Sequence, residues 1–209
     1  LAQPNMIIRN ARIVDGSSDR AADPVDIRIE DGKFVEVASG LTAGSVSTEI
    51  DVSGKYVMPG LIDCHVHIVA ATTNLAVNAA MPNSLVAAHA YRLMSDMLMR
   101  GFTTVRDLGG ADYGFVRAVN EGIVASPRLV ICGKALSQTG GHTDYRGPYH
   151  NRDVSHYPLQ IGSLGRVVDG VAEVQRACRE ELKSGANFIK LMANGGVSSP
   201  TDPIHALGF

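Results

Sequence analysis

The chain has 209 residues, of which 45% are hydrophobic and 19% charged, with a formal net charge of −2. Near-neutrality argues against nucleic acid or an anionic membrane surface as the main partner, and no apolar run approaches the ~18 residues of a membrane helix. The three cysteines, Cys64, Cys132 and Cys178, stand far apart and give neither a disulfide framework nor a zinc-knuckle spacing.

The opening Leu-Ala-Gln-Pro has no basic or apolar leader character. The expected compartment is the cytoplasm, or the periplasm or exterior if a signal peptide has been cleaved ahead of Leu1. Met6 to Val14 is an apolar run closed by the turn signal Asp15-Gly16. Val25 to Val37 alternates, with Ile27 and Ile29 on one face and Asp26, Arg28 and Glu30 on the other. Asp31-Gly32 predicts a two-residue hairpin turn, and Phe34, Val35 and Val37 form the return strand. Glu49 to Val57 offers one more strand. These signals are antiparallel and predict a small β-domain over residues 1–56, too small to bury much apolar surface by itself.

The pattern changes after Pro59-Gly60. Val57 to His67 reads Val-Met-Pro-Gly-Leu-Ile-Asp-Cys-His-Val-His, a buried strand with Asp63, His65 and His67 on one face. Ile62, Cys64 and Val66 take the other, with Cys64 expected as a small core residue. Two neutral imidazoles one pleat apart can chelate a divalent ion. The alternative is a pair of surface histidines on a polar edge strand. A polar loop follows at Thr72, Thr73, Asn74 and Asn78. A helix is predicted from Ser84 to Arg100, capped by Ser84 or Asn83 and stopped by Gly101. Val86, Leu93, Met94, Met97 and Leu98 form its stripe, the methionines as core filler.

Phe102 to Val105 is the next strand, ending in Arg106-Asp107-Leu108-Gly109-Gly110. A short helix covers 112–120, a strand 128–132, and an amphipathic helix 169–184, capped by Asp169, stopped by Gly185 and striped by Val171, Val174, Cys178 and Leu182. Phe188 to Met192 is the fourth strand. Strand and helix alternate from residue 57 onward, which predicts parallel βα units.

Lys190 falls in the middle of that fourth strand, sharing a face with Phe188 and Met192. A lysine buried there must be neutralised or paired. Desolvation makes its amine nucleophilic, so that it can add carbon dioxide and become a carbamate, an anionic oxygen ligand able to bridge two metals. The alternative is a lysine that snorkels from the strand end to a carboxylate.

Pro-Gly-Leu-Ile-Asp-Cys-His-Val-His at 59–67, followed by Gly-Ala-Asn-Phe-Ile-Lys-Leu-Met at 185–192, resembles the amidohydrolase superfamily of metal-dependent hydrolases. Gly-Gly-His-Thr-Asp at 140–144 and Gly-Gly-Val-Ser-Ser-Pro-Thr-Asp-Pro at 195–203 are similar to the branch holding Xaa-Pro, Xaa-Arg and Xaa-Lys dipeptidases, ochratoxin-type amidases and imidazolonepropionase-related proteins. The resemblance implies an α/β fold: the first half of a TIM-like (β/α)8 barrel over residues 57–209, preceded by the small β-domain, with the site at the C-terminal strand ends. It implies two divalent metal ions, with zinc the expected metal. His65 and His67 would bind the first, and carbamylated Lys190 would bridge it to the second. A bridging water of lowered pKa would attack the substrate carbonyl. His142 would help polarise that carbonyl, or is otherwise an ordinary loop histidine. Asp63 and Asp107 would support the ligands without binding metal. Tyr145, Arg146 and Tyr149 are candidates to hold a substrate carboxylate, or are solvated loop residues.

The implied substrate is a dipeptide or N-acyl amino acid, the alternatives being a cyclic amide of imidazolone or hydantoin type, or no catalysis by an incomplete chain. A homo-oligomer is expected of the full-length enzyme, with no nucleic-acid or membrane partner. A full barrel takes ~250 residues. The family's ligands after strands five, six and eight, the last an aspartate that takes the water's proton, have no counterpart here, and His205 follows Lys190 too closely to serve. The chain is therefore expected to be an N-terminal piece, inactive alone.

Overall fold

The computed structural model describes residues 5–44, 48–150, 153–197 and 202–208. It divides into two compact units, Leu1–Pro59 and Gly60–Phe209. The first unit is a mixed sheet in the order β3-β2-β1-β4, with β5 also paired to β1. Its strands are β1 (Met6–Ile13), β2 (Val25–Glu30), β3 (Lys33–Ala38), β4 (Thr48–Asp51) and β5 (Tyr56–Val57). The β2–β3 hairpin turns at Asp31 and Gly32, whose φ values of 49° and 73° match the right-handed strand twist.

The antiparallel reading holds for β1, β2 and β3 and fails for β4 and β5, which run parallel to β1. Each returns to β1 by a connection rather than a hairpin, and alternation within a strand carries no information about direction. Buried Asp26 ties this unit together. Burial alone would raise its carboxyl, but donors from Asn10 N, Arg9 and Leu41 N outweigh it and hold the group below the usual carboxylate range.

The second unit begins with a parallel sheet, β6-β7-β8, formed by Leu61–Val66, Phe102–Asp107 and Arg128–Ile131. Helices α1 (Leu75–Ala80) and α2 (Asn83–Met99) connect β6 to β7, and α3 (Tyr113–Asn120) connects β7 to β8. Their apolar residues meet the sheet in one core of Val66, Ile68, Val86, Met94, Val105, Phe115, Leu129 and Ile131. The methionine stripe is core at Met94 and partly buried at Met97. Asp112 caps α3 by accepting from Gly114 N and Phe115 N.

Several local expectations are corrected. Asn83 is the first residue of α2 and no cap; its side chain accepts from Ile161 N at 2.8 Å instead and pins the helix start to a distant loop. The polar loop after β6 contains α1, capped by Asn74. Cys64 is exposed rather than core, and Ile62 beside it is 65% exposed, because β6 is the sheet edge and no described helix covers that face. Helix α4 (Gly170–Lys183) buries Ala177 and Glu181, while Val171 and Leu182 face solvent. Its Asp169 takes no helix amide and accepts instead from Thr139 N and its hydroxyl.

The fourth strand is reduced to a single parallel bridge between Leu136 and Leu191. The chain kinks after β8 at Gly133 (φ 69°), then resumes as β9 (Ala135–Ser137), paired with β10 (Gly165–Val167). Segment 190–192 lies along the other side of β9, joined by Leu136 N to Lys190 O and Met192 N to Leu136 O.

Candidate metal centre and active-site cavity

His65 ends the exposed part of β6, and His67 lies one residue past the strand. Their rings meet edge to face with centroids 5.5 Å apart, so alternation does bring the two imidazoles to one side. The His67 Nδ1 lies 3.1 Å from the carbonyl of Gly109. A carbonyl only accepts, so Nδ1 carries the proton and Nε2 is left with its lone pair. Metal-binding histidines are commonly prepared in this way. Burial lowers the His67 pKa; the bond to the Gly109 carbonyl opposes this, and the charges of Lys190 and His142 add to the lowering. For His65, burial comes first, then the charges of His67 and Lys190. Both effects favour neutral, ligating imidazole.

Lys190 is only half-buried and lies in an extended run, not mid-strand, so full desolvation does not act on it. Its charge nonetheless reaches both histidines. Asp63 accepts the His65 amide at 2.9 Å and so fixes the backbone between them. Asp107 is fully buried and accepts the amides of Ile68 (2.7 Å), Gly109 (2.9 Å) and Ala111 (3.3 Å). Burial pushes its carboxyl up to about 6, against the pull of those donors. It thereby shapes both the turn after His67 and the carbonyl that holds His67.

A cavity of about 440 Å³ opens beside His67. Its lining includes His142, Leu75, Tyr145, Leu164 and Met192. His142 therefore shares a wall with His67. Of the three substrate-carboxylate candidates, Tyr145 lines this cavity, with its hydroxyl accepting from Leu164 N at 3.3 Å. Arg146 is engaged by Asp144 at 2.6 and 2.8 Å, which keeps that carboxyl below its ordinary range despite burial. Tyr149 is 98% exposed and is not brought to the cavity. No lysine or arginine is among the described residues of the lining.

Three structural residues escaped the sequence reading. Asn78 is fully buried, donates to Val69 O and Gly162 O, and accepts from Ala71 N, so it locks the cavity rim. Lys134 donates to Gln160 O and Ser163 O, and burial lowers its pKa to about 8. Arg106 lies 5.6 Å over the Phe188 ring and donates to Cys64 O. A polar residue inside an apolar window was the available signal for Asn78 and Lys134. Its partners were not visible.

Among the described residues no three of His, Cys, Asp and Glu converge as a metal site. What this chain presents is two imidazoles and a lysine. The donor chemistry of that set fits a divalent ion, given the lone pair left on His67 Nε2 and a lysine able to become an oxygen ligand.

The amidohydrolase family model matches residues 56–209. The chain belongs to the amidohydrolase family. It is 32% identical over 183 residues to an ochratoxinase from Aspergillus niger, covering 75% of this chain and 37% of that protein. A prolidase solved with N-methylphosphonate-L-proline is 43% identical with a TM-score of 0.92, covering 98% of this chain and 50% of its own. A Xaa-Pro dipeptidase with bound methionine is 29% identical with a TM-score of 0.79, covering 98% and 51%. The chain thus spans about a third of the curated relative and half of the solved ones. The expected α/β barrel-type fold is borne out by these amidohydrolases.

Proposed function

We propose that the whole protein is a metal-dependent amide hydrolase cleaving dipeptides or N-acyl amino acids, with proline-ended dipeptides as the first substrates to try. The observation that carries this is His67, held at Nδ1 by Gly109 with Nε2 free, beside His65, within reach of the Lys190 charge and on the wall of a cavity. The 43% identity to a prolidase over nearly the whole chain supports the substrate class.

His65 and His67 would hold one divalent ion, and Lys190, as its carbamate, a second shared with it. Such ions supply Lewis acidity and a water nucleophile of lowered pKa. Asp63 and Asp107 fix the backbone that carries the histidines. His142 faces the same cavity and polarises the amide carbonyl. Leu75, Leu164 and Met192 give that cavity an apolar wall suited to a pyrrolidine ring or an aliphatic side chain. Arg146 is committed to Asp144, so the Tyr145, Thr72, Thr73 and Thr143 hydroxyls are among the cavity groups left to meet a carboxylate.

The test is metal analysis of the whole protein together with release of free amino acid from a panel of Xaa-Pro, Xaa-Arg and N-acyl substrates. About two metals per chain with turnover is the expected result. Full metal occupancy with no cleavage of any member would sink the substrate assignment.

A further inference from the structure

We infer that Asp202 is the positioning residue of His142; this rests on the hydrolase reading for its consequence but not for its geometry. The Asp202 side chain is 4% exposed, and its Oδ2 lies 3.7 Å from His142 Nδ1. That nitrogen and Asp202 Oδ1 are both buried without a hydrogen-bond partner among the described residues. Leaving a buried ring nitrogen unpaired is costly, and the Asp202 carboxylate, which has one oxygen unpaired as well, stands 3.7 Å from it through Oδ2. A closure of ~0.8 Å brings them to hydrogen-bond distance.

The surrounding chain is arranged to hold this pair. The segment after Lys190 folds back on itself through Gly195 N to Ala206 O (2.9 Å), Gly208 N to Ala193 O (2.8 Å) and Asn194 Nδ2 to Ile204 O (3.3 Å). Ala206 N bonds Pro203 O at 2.8 Å and closes the turn next to Asp202. Gly196 lies flat against the His142 ring, where a Cβ would come within 2.1 Å of Cε1 and 2.5 Å of Nδ1. A Cβ on Gly195 would strike Pro203 O at 2.0 Å. One glycine therefore lets the loop close and the other seats the ring. Residues 198–201 of this motif lie outside the described residues.

An ionised carboxylate only accepts, so pairing requires a proton on Nδ1 and turns Nε2 to the substrate, where it donates to a carbonyl when the ring carries both protons. The loop that starts at the expected metal-binding lysine thus also orients the ring of the carbonyl-polarising histidine.

The experiment is ¹⁵N NMR of histidine-labelled protein in the alkaline range, with His142 assigned by His142→Asn. The wild type should show Nδ1 protonated. Asp202→Asn, nearly isosteric, offers an amide donor to Nδ1 and should move the proton to Nε2; Asp202→Ala should leave a mixture. Both variants should lose roughly 10–100-fold in kcat with KM within about threefold, as expected when an orienting partner is removed. Unchanged ring signals in both variants would overturn the inference. Altered signals in a wild-type background that cleaves no amide would keep the Asp202 role and discard the hydrolase reading.

Discussion

His67 donates from Nδ1 to the carbonyl of Gly109, and Asp107 accepts the amides of Gly109 and Ile68 on either side of that contact. Burial raises the Asp107 carboxyl from 3.8 to about 6. The folded state then holds this proton more tightly than the unfolded state. Between those two values stability falls as pH rises, by up to ~3 kcal/mol for a shift of about two units. Denaturation of wild type and Asp107→Asn from about pH 4 to 7 should show the wild type losing stability relative to the variant as pH rises. Parallel curves would mean the carboxyl titrates normally. Lys190 gives the sharper test at this scale. Lys190→Ala should release metal and lower kcat/KM by at least about a hundredfold, beyond the ordinary loss for a group one step from the metal. Retained metal and activity would remove the carbamate from the mechanism.

Elements are placed by polar residues that reach across long stretches of sequence. Asn78 binds Val69 O, Ala71 N and Gly162 O, so that α1, the end of β6 and the loop before β10 share one side chain. Asn78→Ala leaves buried amide groups unpaired and should cost about 3 kcal/mol in urea unfolding. A loss below about 1 kcal/mol would mean water replaces the amide. Gly133 has a similar reach: its φ of 69° breaks β8 before β9 begins, and a Cβ there would meet Glu181 Oε2 at 2.1 Å. The break turns the fourth parallel strand into a bridge at Leu191 and leaves Lys190 half-buried.

At the scale of the molecule, the family model covers residues 56–209, and the match to the prolidase structure extends over 98% of the chain. Some apolar residues face outward, among them Ile62 on edge strand β6 and Phe34, 74% exposed, on β3. No described helix is long and apolar enough to cross a membrane. A substrate panel divides the remaining chemistry. Release of free proline or another amino acid supports the dipeptidase reading, whereas ring opening of a hydantoin or imidazolone without a second product would replace it.

The sequence by itself determined the hairpin at Asp31-Gly32, β6, β7 and β8 with the helices α2 and α3 between them, and the approach of His65 to His67. Each follows from local periodicity or from side chains two residues apart. It also carried the family, through short motifs around His65, His142 and Lys190. Only the tertiary structure decided which polar residues are committed. Arg146 and Asp144 look available in sequence but satisfy one another. Asp202 looks like a loop residue and is buried against His142. Asn83 reads as a cap and serves a distant amide. Strand direction around β1 and the loss of the fourth strand were equally hidden. Pairing partners and burial depend on chain segments far apart in sequence, and local pattern does not encode the distance between them.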